Sequence, residues 1–351
     1  MNCINCGACS NFAPSSFQRN DSIKKHVVYH QPSLSRKDEL ESARAALAAC
    51  PVAAIRVESA PDGTIGRDYQ RELSIGSKHP FPRPIYSVHS TDEEVDLGVY
   101  YLGHHNDASF GATPYLVLGK SPQGKTISVM VDVPRFGPSA VRAIKSLAPN
   151  GPDYLFLTHV DDTADHNKWV GEFTSLKRIF HSGDLGRHNW IGDKTLENVE
   201  ILLKGASGGE KLMFWDIDGN PLSSGWLGVD IGEEQFVILH TPGHSPGSIS
   251  LLFRPRSSQS EQQPPCQETV KGILFTGDTY AWTTRDGGHM SGFPRYGNDL
   301  SLQAETLQKI GQLVEKWDII APGHGHPRFY GEGSSKRKLD ELSVAVNELN
   351  S

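Results

Sequence analysis

Cys3, Cys6 and Cys9 stand at two-residue gaps, and a remote Cys50 is followed at once by Pro51. Three thiolates at that spacing wrap a short loop around one face of a cuboidal iron–sulfur cluster, and a distant Cys-Pro supplies the fourth ligand. One complete set is present, so the expectation is one [4Fe–4S] cluster held by Cys3, Cys6, Cys9 and Cys50. Zinc is the alternative, but zinc sites usually show two separated pairs of ligands. The count of five cysteines fits disulfides poorly. Cys266 lies in a Pro/Gln/Ser-rich stretch and is expected to be a free surface thiol.

Residues 1–59 read as one small unit. Asp38 to Ala49 is predicted to be an amphipathic helix, with Leu40, Ala43 and Leu47 on one stripe that Cys50 continues. Pro51 stops it, and Val52 to Val57 reads as a strand. A domain of ~60 residues buries little core, so the cluster is expected to hold it together. Residues 60–83 lack periodicity and read as a linker. From 84 to 351 the pattern becomes strand-rich. Strands are predicted at Ile85–Val88, Tyr115–Leu118, Ile127–Val133, Tyr154–Thr158, Val199–Leu203, Phe236–His240, Ile249–Phe253 and Ile273–Thr276. Helices are predicted at Pro138–Leu147, Lys168–Thr174, Leu300–Lys316 and Lys336–Leu349. Runs of strands with few helices argue for an α+β chain with two sheets flanked by helices, not a doubly wound sheet. Residues 255–270 read as a surface insertion between strands.

The 351 residues suit one large domain plus a small one. Hydrophobic content of 37% and charged content of 21% are those of a globular protein. The formal charge of −7, with no long basic block, excludes nucleic acid as the expected partner. No apolar run approaches the roughly 18 residues of a membrane span, so no membrane partner is expected. The expected location is cytoplasmic, or the plastid stroma in a photosynthetic eukaryote, because no export signal is visible and the cluster needs a reducing compartment.

Four further islands share one grammar, an apolar strand ending in a turn that carries His or Asp. They are Leu157-Thr158-His159-Val160-Asp161-Asp162-Thr163-Ala164-Asp165-His166, Thr241-Pro242-Gly243-His244-Ser245-Pro246-Gly247-Ser248, Phe275-Thr276-Gly277-Asp278, and Ala321-Pro322-Gly323-His324-Gly325-His326. Gly and Pro let each strand end turn sharply, and loops on a rigid sheet are where ligands gather. One such histidine would be structural; four islands together point to a metal site. His104, His105, His181 and His326 are weaker candidates for its surroundings. Trp282, Arg285, His289, Phe293, Arg295 and Tyr296 cluster after Asp278 and read as substrate contacts or as packing.

These islands resemble the motifs of the metallo-β-lactamase superfamily of hydrolases, over about residues 84–350. The N-terminal segment resembles single-cluster ferredoxins. The resemblance implies a metallo-β-lactamase αββα sandwich with two metal ions, preceded by a small ferredoxin-like α+β domain. Carried over, the first metal would take His159 and His244, and the second Asp165, His166 and His324. Asp278 would bridge the two. Asp165 would also orient a metal-bound hydroxide and so act in catalysis.

The first island departs from the usual His-x-His-x-Asp-His. A histidine is missing and two residues are added. Alternation along an extended strand end would put His159 and Asp161 on one side, so Asp161 is the first candidate for the vacant ligand and Asp162 the second. Carboxylates favour harder ions than imidazole does. Zinc is therefore the first expected metal, with iron or manganese next. The implied activity is hydrolysis of an ester, thioester, lactone or amide in a small-molecule substrate. The alternative is a diiron oxidoreductase fed electrons by the cluster and served by a redox partner protein. The same fold in flavodiiron proteins hosts two irons with a carboxylate in place of one histidine.

Overall fold

The computed structural model describes residues 3–33, 35–57, 79–88, 96–205, 213–222, 234–255, 270–331 and 333–351, and elements are counted among these. The chain opens with a short helix α1 (Ala8–Phe12), an antiparallel hairpin β1 (Phe17–Asn20) and β2 (Lys25–Val28), and a longer helix α2 (Lys37–Ala49). Asp38 and Glu39 sit in the first turn of α2, where negative charge opposes the helix dipole favourably. Its buried face is Ala45, Ala46 and Ala49, packed with Ala8, Phe12 and Phe17. The predicted stripe of Leu40, Ala43 and Leu47 is only half-buried. Alanine wins the inner face because a helix must come close to a short loop. Pro51 disfavours a helical Cys50, whose ψ is 112°, and α2 ends there. The strand predicted at Val52–Val57 does not form, and Ala53 is left-handed at φ 49°. Most of the predicted linker 60–83 and insertion 255–270, and Cys266 itself, lie outside the described residues.

The first large sheet runs in sequence order: β3 (Arg83–Val88), β4 (Leu97–Tyr101), β5 (Tyr115–Lys120), β6 (Thr126–Val131), β7 (Tyr154–Phe156), β8 (Lys177–His181) and β9 (Ile201–Leu203). It is antiparallel from β3 to β6 and parallel from β6 to β9. The parallel crossovers carry α3 (Pro138–Lys145) and α4 (His166–Glu172). Pro138 opens α3, where its missing N–H costs nothing.

The second sheet has the order β10 (Phe214–Trp215), β11 (Phe236–His240), β12 (Ile249–Phe253), β13 (Ile273–Gly277), then β16 (Ile319–Pro322) and β17 (Arg328–Phe329). Between β13 and β16 lie a separate hairpin, β14 (Ala281–Thr283) with β15 (His289–Ser291), and α5 (Leu300–Gly311). The chain finishes with α6 (Ser335–Leu349).

Strand alternation builds three apolar layers from this order. In β5, Tyr115 and Val117 face inward and meet Phe236, Ile238, Leu251 and Phe275 of the other sheet. Leu116 and Leu118 face outward, onto Ile144 of α3 and Trp169 of α4. On the second sheet, Val237, Leu239 and Leu274 pack outward on Leu307 and Ile310 of α5 and Leu342 of α6. Helices, sheet, sheet, helices is the αββα sandwich. Each fully buried Leu, Val or Phe contributes about 1.5–3 kcal/mol. Among the described residues no helix is long and apolar enough to cross a membrane.

Candidate metal centre and its cleft

The four histidine- or aspartate-bearing turns follow the carboxyl ends of β7, β11, β13 and β16. Two glycines permit their close approach. A Cβ on Gly277, at φ 50°, would lie 2.7 Å from Thr158 Oγ1, and one on Gly323 would lie 2.7 Å from Asp278 Oδ1. A side chain at Gly277 would be strained and would collide with Thr158, and one at Gly323 would push Asp278 aside.

His159, Asp161 and His244 each offer a ligand atom within 4.8 Å of the others. His159 Nε2 stands 3.7 Å from Asp161 Oδ2, and the His159 and His244 rings meet edge-on at 4.9 Å. Asp278 Oδ2 lies 3.9 Å from His244 Nε2 and 3.4 Å from His324 Nε2. These five side chains form one cluster. His159 Nε2, His244 Nδ1 and Asp278 Oδ1 are buried with no hydrogen-bond partner among the described residues. Buried polar atoms are nearly always paired, so His159 Nε2, unpaired and facing Asp161, fits metal coordination, while His244 and Asp278 turn Nε2 and Oδ2 to the cluster.

The electrostatics agree. Burial pushes His159 down to about 3 and His244 and His324 to about 4, keeping all three imidazoles neutral with a free lone pair. Burial raises Asp132 and Asp278 to about 7. Asp162 is pushed well above the carboxylate range by burial and then by Asp132, Asp278 and Asp161. Buried carboxylates that repel one another suit a cationic occupant. Asp162 keeps both oxygens unpaired, with Oδ2 3.7 Å from His159 Nδ1, on the other side of that ring from Asp161.

Asp165 and His166 are not brought to this cluster, contrary to the sequence expectation. The added residues let the chain turn into α4, with Asp165 as its left-handed N-cap at φ 67° and His166 as its first residue. Asp165 Oδ2 accepts from Asn106 Nδ2 (2.9 Å) and Phe136 N (3.1 Å), and Oδ1 faces Lys168 Nζ at 2.6 Å. His166 Nε2 lies 3.0 Å from Asp193 Oδ2, and Nδ1 lies 3.1 Å from Arg178 Nη1. Both residues are committed to holding the loop and helix.

Three residues near the site escaped sequence reasoning in their role. Asp184 accepts from Val160 N, Ser245 Oγ and Gly247 N, tying the first two turns together. Asp132 Oδ1 accepts from Thr158 N at 2.9 Å. Trp190 Nε1 donates to Asp161 Oδ1 at 2.5 Å, fixing that carboxylate. A short Asp-bearing turn after a strand is the sole signal for the first two.

The other histidines fall outside the cluster. His104 stacks on His79 at 4.6 Å and His181 on His240 at 4.2 Å, and His326 lies tilted against Trp282 at 4.2 Å. His105 is buried with Nδ1 against Gly111 O at 2.8 Å. The residues that follow Asp278, from Trp282 to Tyr296, do line the cleft above the cluster.

At the N-terminus the four cysteines are free, half-buried and mutually close enough to interact electrostatically. Burial, then the neighbouring thiols, raises Cys9 to about 12, and burial raises Cys6 to about 11. Asn5 N and Ala54 N approach Cys3 Sγ and Cys50 Sγ at 3.4 and 3.2 Å. Converging thiols with inward N–H groups fit an iron–sulfur cluster, whose iron replaces the protons and whose sulfurs accept such bonds. Cys6 also packs on Gly111 and lines the same cleft as Asp278 and His324.

Residues 1–57 match the family described as the 4Fe-4S single cluster domain of Ferredoxin I. No curated protein matches the chain in sequence. Solved structures similar to it include the DIM-1 metallo-beta-lactamase, at 15% identity over 66% of this chain and 94% of that one, with a TM-score of 0.37. A quorum-quenching N-acyl homoserine lactone lactonase is 20% identical over 61% and 79%, with a TM-score of 0.38. A metallo-beta-lactamase family protein from Thermus thermophilus is 14% identical over 72% and 78%, with a TM-score of 0.39. At such scores these likenesses carry no weight by themselves, and the sandwich stands on the layers and strand order. The chain thus joins a segment similar to single-cluster ferredoxins to an αββα sandwich that gathers metal-capable side chains at one end.

Proposed function

We propose that this chain is a metal-dependent hydrolase acting on a small-molecule ester, thioester, lactone or amide. The observation that carries the reading is the convergence of His159, Asp161 and His244, whose ligand atoms lie within 4.8 Å of one another, with Asp278 and His324 beside them where an open cleft reaches the cluster. His159, Asp161, His244, Asp278 and His324 would hold the metal. Asp162 is the reserve carboxylate. Two divalent ions supply, when bound, a hydroxide at neutral pH and a Lewis acid for the carbonyl. In the net reaction water adds to the acyl carbon, the bond to oxygen, sulfur or nitrogen breaks, and the leaving group departs with a proton. Asp278 and His324 orient the reacting groups, Trp190 steadies Asp161, and no Ser or Cys nucleophile is needed. Zinc suits the site best, with iron or manganese favoured by the carboxylates.

Residues 1–59 would form the cluster unit, 60–83 the linker and 84–351 the hydrolase unit. A reducing compartment, the cytoplasm or a plastid stroma, suits the cluster. The test is elemental analysis of anaerobically prepared protein with an ester and thioester panel. About two zinc ions beyond the four irons of the cluster, with turnover lost in His244→Ala, is the expected result. No metal beyond the cluster overturns the reading.

A second reading, a diiron oxidoreductase fed by the cluster, is favoured by one observation. Cys6 packs on Gly111, and two residues later Thr113 N donates to Gly323 O at 2.7 Å, next to His324. Hydrolysis needs no such link. About six irons per chain, and no esterase activity, would select it, and a redox partner protein would then be required.

A further inference from the structure

Residues 104–113, between β4 and β5, lie against both the cysteine motif and the metal-bearing turns. On the cysteine side, Gly111 touches both halves of the motif, since a Cβ there would lie 2.5 Å from Cys6 Cβ and 3.6 Å from Pro51 Cγ. The buried His105 ring meets Phe12 of α1 edge-on at 6.0 Å. Arg135 donates its backbone N–H to His104 O at 2.7 Å and its Nη1 to Pro51 O at 2.8 Å. On the metal side, Thr113 N donates to Gly323 O at 2.7 Å, directly before His324. Ser109 Oγ accepts from Ala164 N at 3.2 Å and Asn106 Nδ2 donates to Asp165 Oδ2 at 2.9 Å, just past Asp161 in the first turn. The segment is closed on itself, with His105 Nδ1 donating to Gly111 O and Gly111 N to Asn106 O, both at 2.8 Å. Its backbone is strained, because His104 and Phe110 are left-handed at φ 54° and 50°. Bulky residues keep such angles only where their surroundings hold them. The holders here are the contacts at the two ends.

Resting on the reading that His159, Asp161, His244, Asp278 and His324 hold a metal, we propose that cluster insertion and metal binding are linked through this loop. With the cluster in place, Cys6 and Pro51 fix Gly111, and the loop holds the turn of His324 in register with the turn of His159 and Asp161. Without the cluster the loop relaxes toward ordinary backbone angles and withdraws its hydrogen bonds from those turns, so the metal is held more weakly. Linkage runs both ways: a bound metal favours the loop conformation that the loaded cysteines require. The chain thereby withholds its metal centre until its cysteines are loaded. No electron need pass between the two sites, and the linkage is indifferent to which bond is cleaved.

The experiment measures zinc affinity by competition with a chromophoric chelator. It compares the anaerobically prepared full chain carrying its cluster with the cluster-free Cys50→Ser variant. Native protein stripped by a ferrous-iron chelator and desalted is a second cluster-free form. Loss of the cluster is expected to weaken zinc about tenfold, an ordinary strength for coupling between sites. Asn106→Ala with Ser109→Ala keeps the cysteines and cuts the loop from the first turn. In that background, removing the cluster should cost clearly less, because two changes along one linkage are not additive. Equal zinc affinity with and without the cluster, or full additivity, overturns the proposal. Hydrogen exchange without zinc separates linkage from general loosening. Cluster loss should speed exchange in residues 104–113 and 321–325 while α5 and α6 stay protected. A change confined to residues 3–57, or spread evenly through the chain, overturns the proposal. If the cluster-loaded chain binds no zinc at all, the metal reading itself fails and the linkage with it.

Discussion

Asp184 reaches both the His159-bearing and the His244-bearing turns. Its hydrogen bonds run to Val160 N at 3.0 Å, Ser245 Oγ at 2.7 Å and Gly247 N at 2.6 Å. Removing it frees two turns that must be held together for His159 and His244 to meet. Asp184→Ala is expected to weaken metal retention roughly 10- to 100-fold, as loss of a supporting hydrogen bond does elsewhere. Elemental analysis after dialysis against a mild chelator checks this, with native cluster absorbance as the folding control. Asp165 makes the opposite case. Its carboxylate is spent on Asn106, Phe136 and Lys168. Asp165→Ala should therefore leave metal content unchanged and lower stability by about 1–2 kcal/mol. A loss of one metal per chain would instead return Asp165 to the ligand set.

Between elements, the contact of Gly111 with the cluster loop is the most demanding. Gly111 has φ +84°, and a Cβ there would lie 2.5 Å from Cys6 Cβ. Gly124 has a similar φ of +81° with nothing within 4 Å of an added Cβ. Gly124→Ala therefore measures backbone strain alone, about 1 kcal/mol. Gly111→Ala adds a collision with a cluster ligand and should lose cluster absorbance as well as stability. Equal effects in the two variants would show that the packing contact is unimportant. The loop after β8 is held by another device. Burial opposes the charge on Glu200, but the fork of Arg178 beside it brings its carboxyl down to about 2. A depressed carboxyl contributes stability that is present above its unfolded value near 4.5 and is lost as pH falls toward 2. Melts of the native protein and Glu200→Gln should differ at pH 6 and converge near pH 2.

For the molecule as a whole, the question is how far the two ends depend on each other. The sandwich has three apolar layers of its own, while the N-terminal unit has a small cluster of alanines and phenylalanines that reaches across to Phe81 and Tyr101. Arg135 Nη1 also donates to Pro51 O at 2.8 Å across the junction. Cys50→Ser should abolish the cluster absorbance and open residues 3–57 to proteolysis, leaving the main melting transition of the sandwich in place. Loss of both transitions together would mean that the two units fold as one.

Sequence alone determined what could be carried by local pattern. The spacing of Cys3, Cys6 and Cys9 and the distant Cys50 specified the cluster loop, because ligands so close in the chain must share a centre. Short apolar runs marked β11 and β12 to the residue. The Gly- and Pro-framed turns at His244, Asp278 and His324 were legible for the same reason: each is a complete local motif. Strands such as β8 and β16 and the hairpin β14–β15 were not, being short apolar runs whose pairing comes from distant neighbours. The face of α2 was misread because packing against a cluster loop selects small side chains, not the most hydrophobic ones. Whether Asp161 or Asp165 joins the histidines was decided only by tertiary structure. Two added residues were enough to start a helix, and a helix start turns its first side chains away from the strand end they follow.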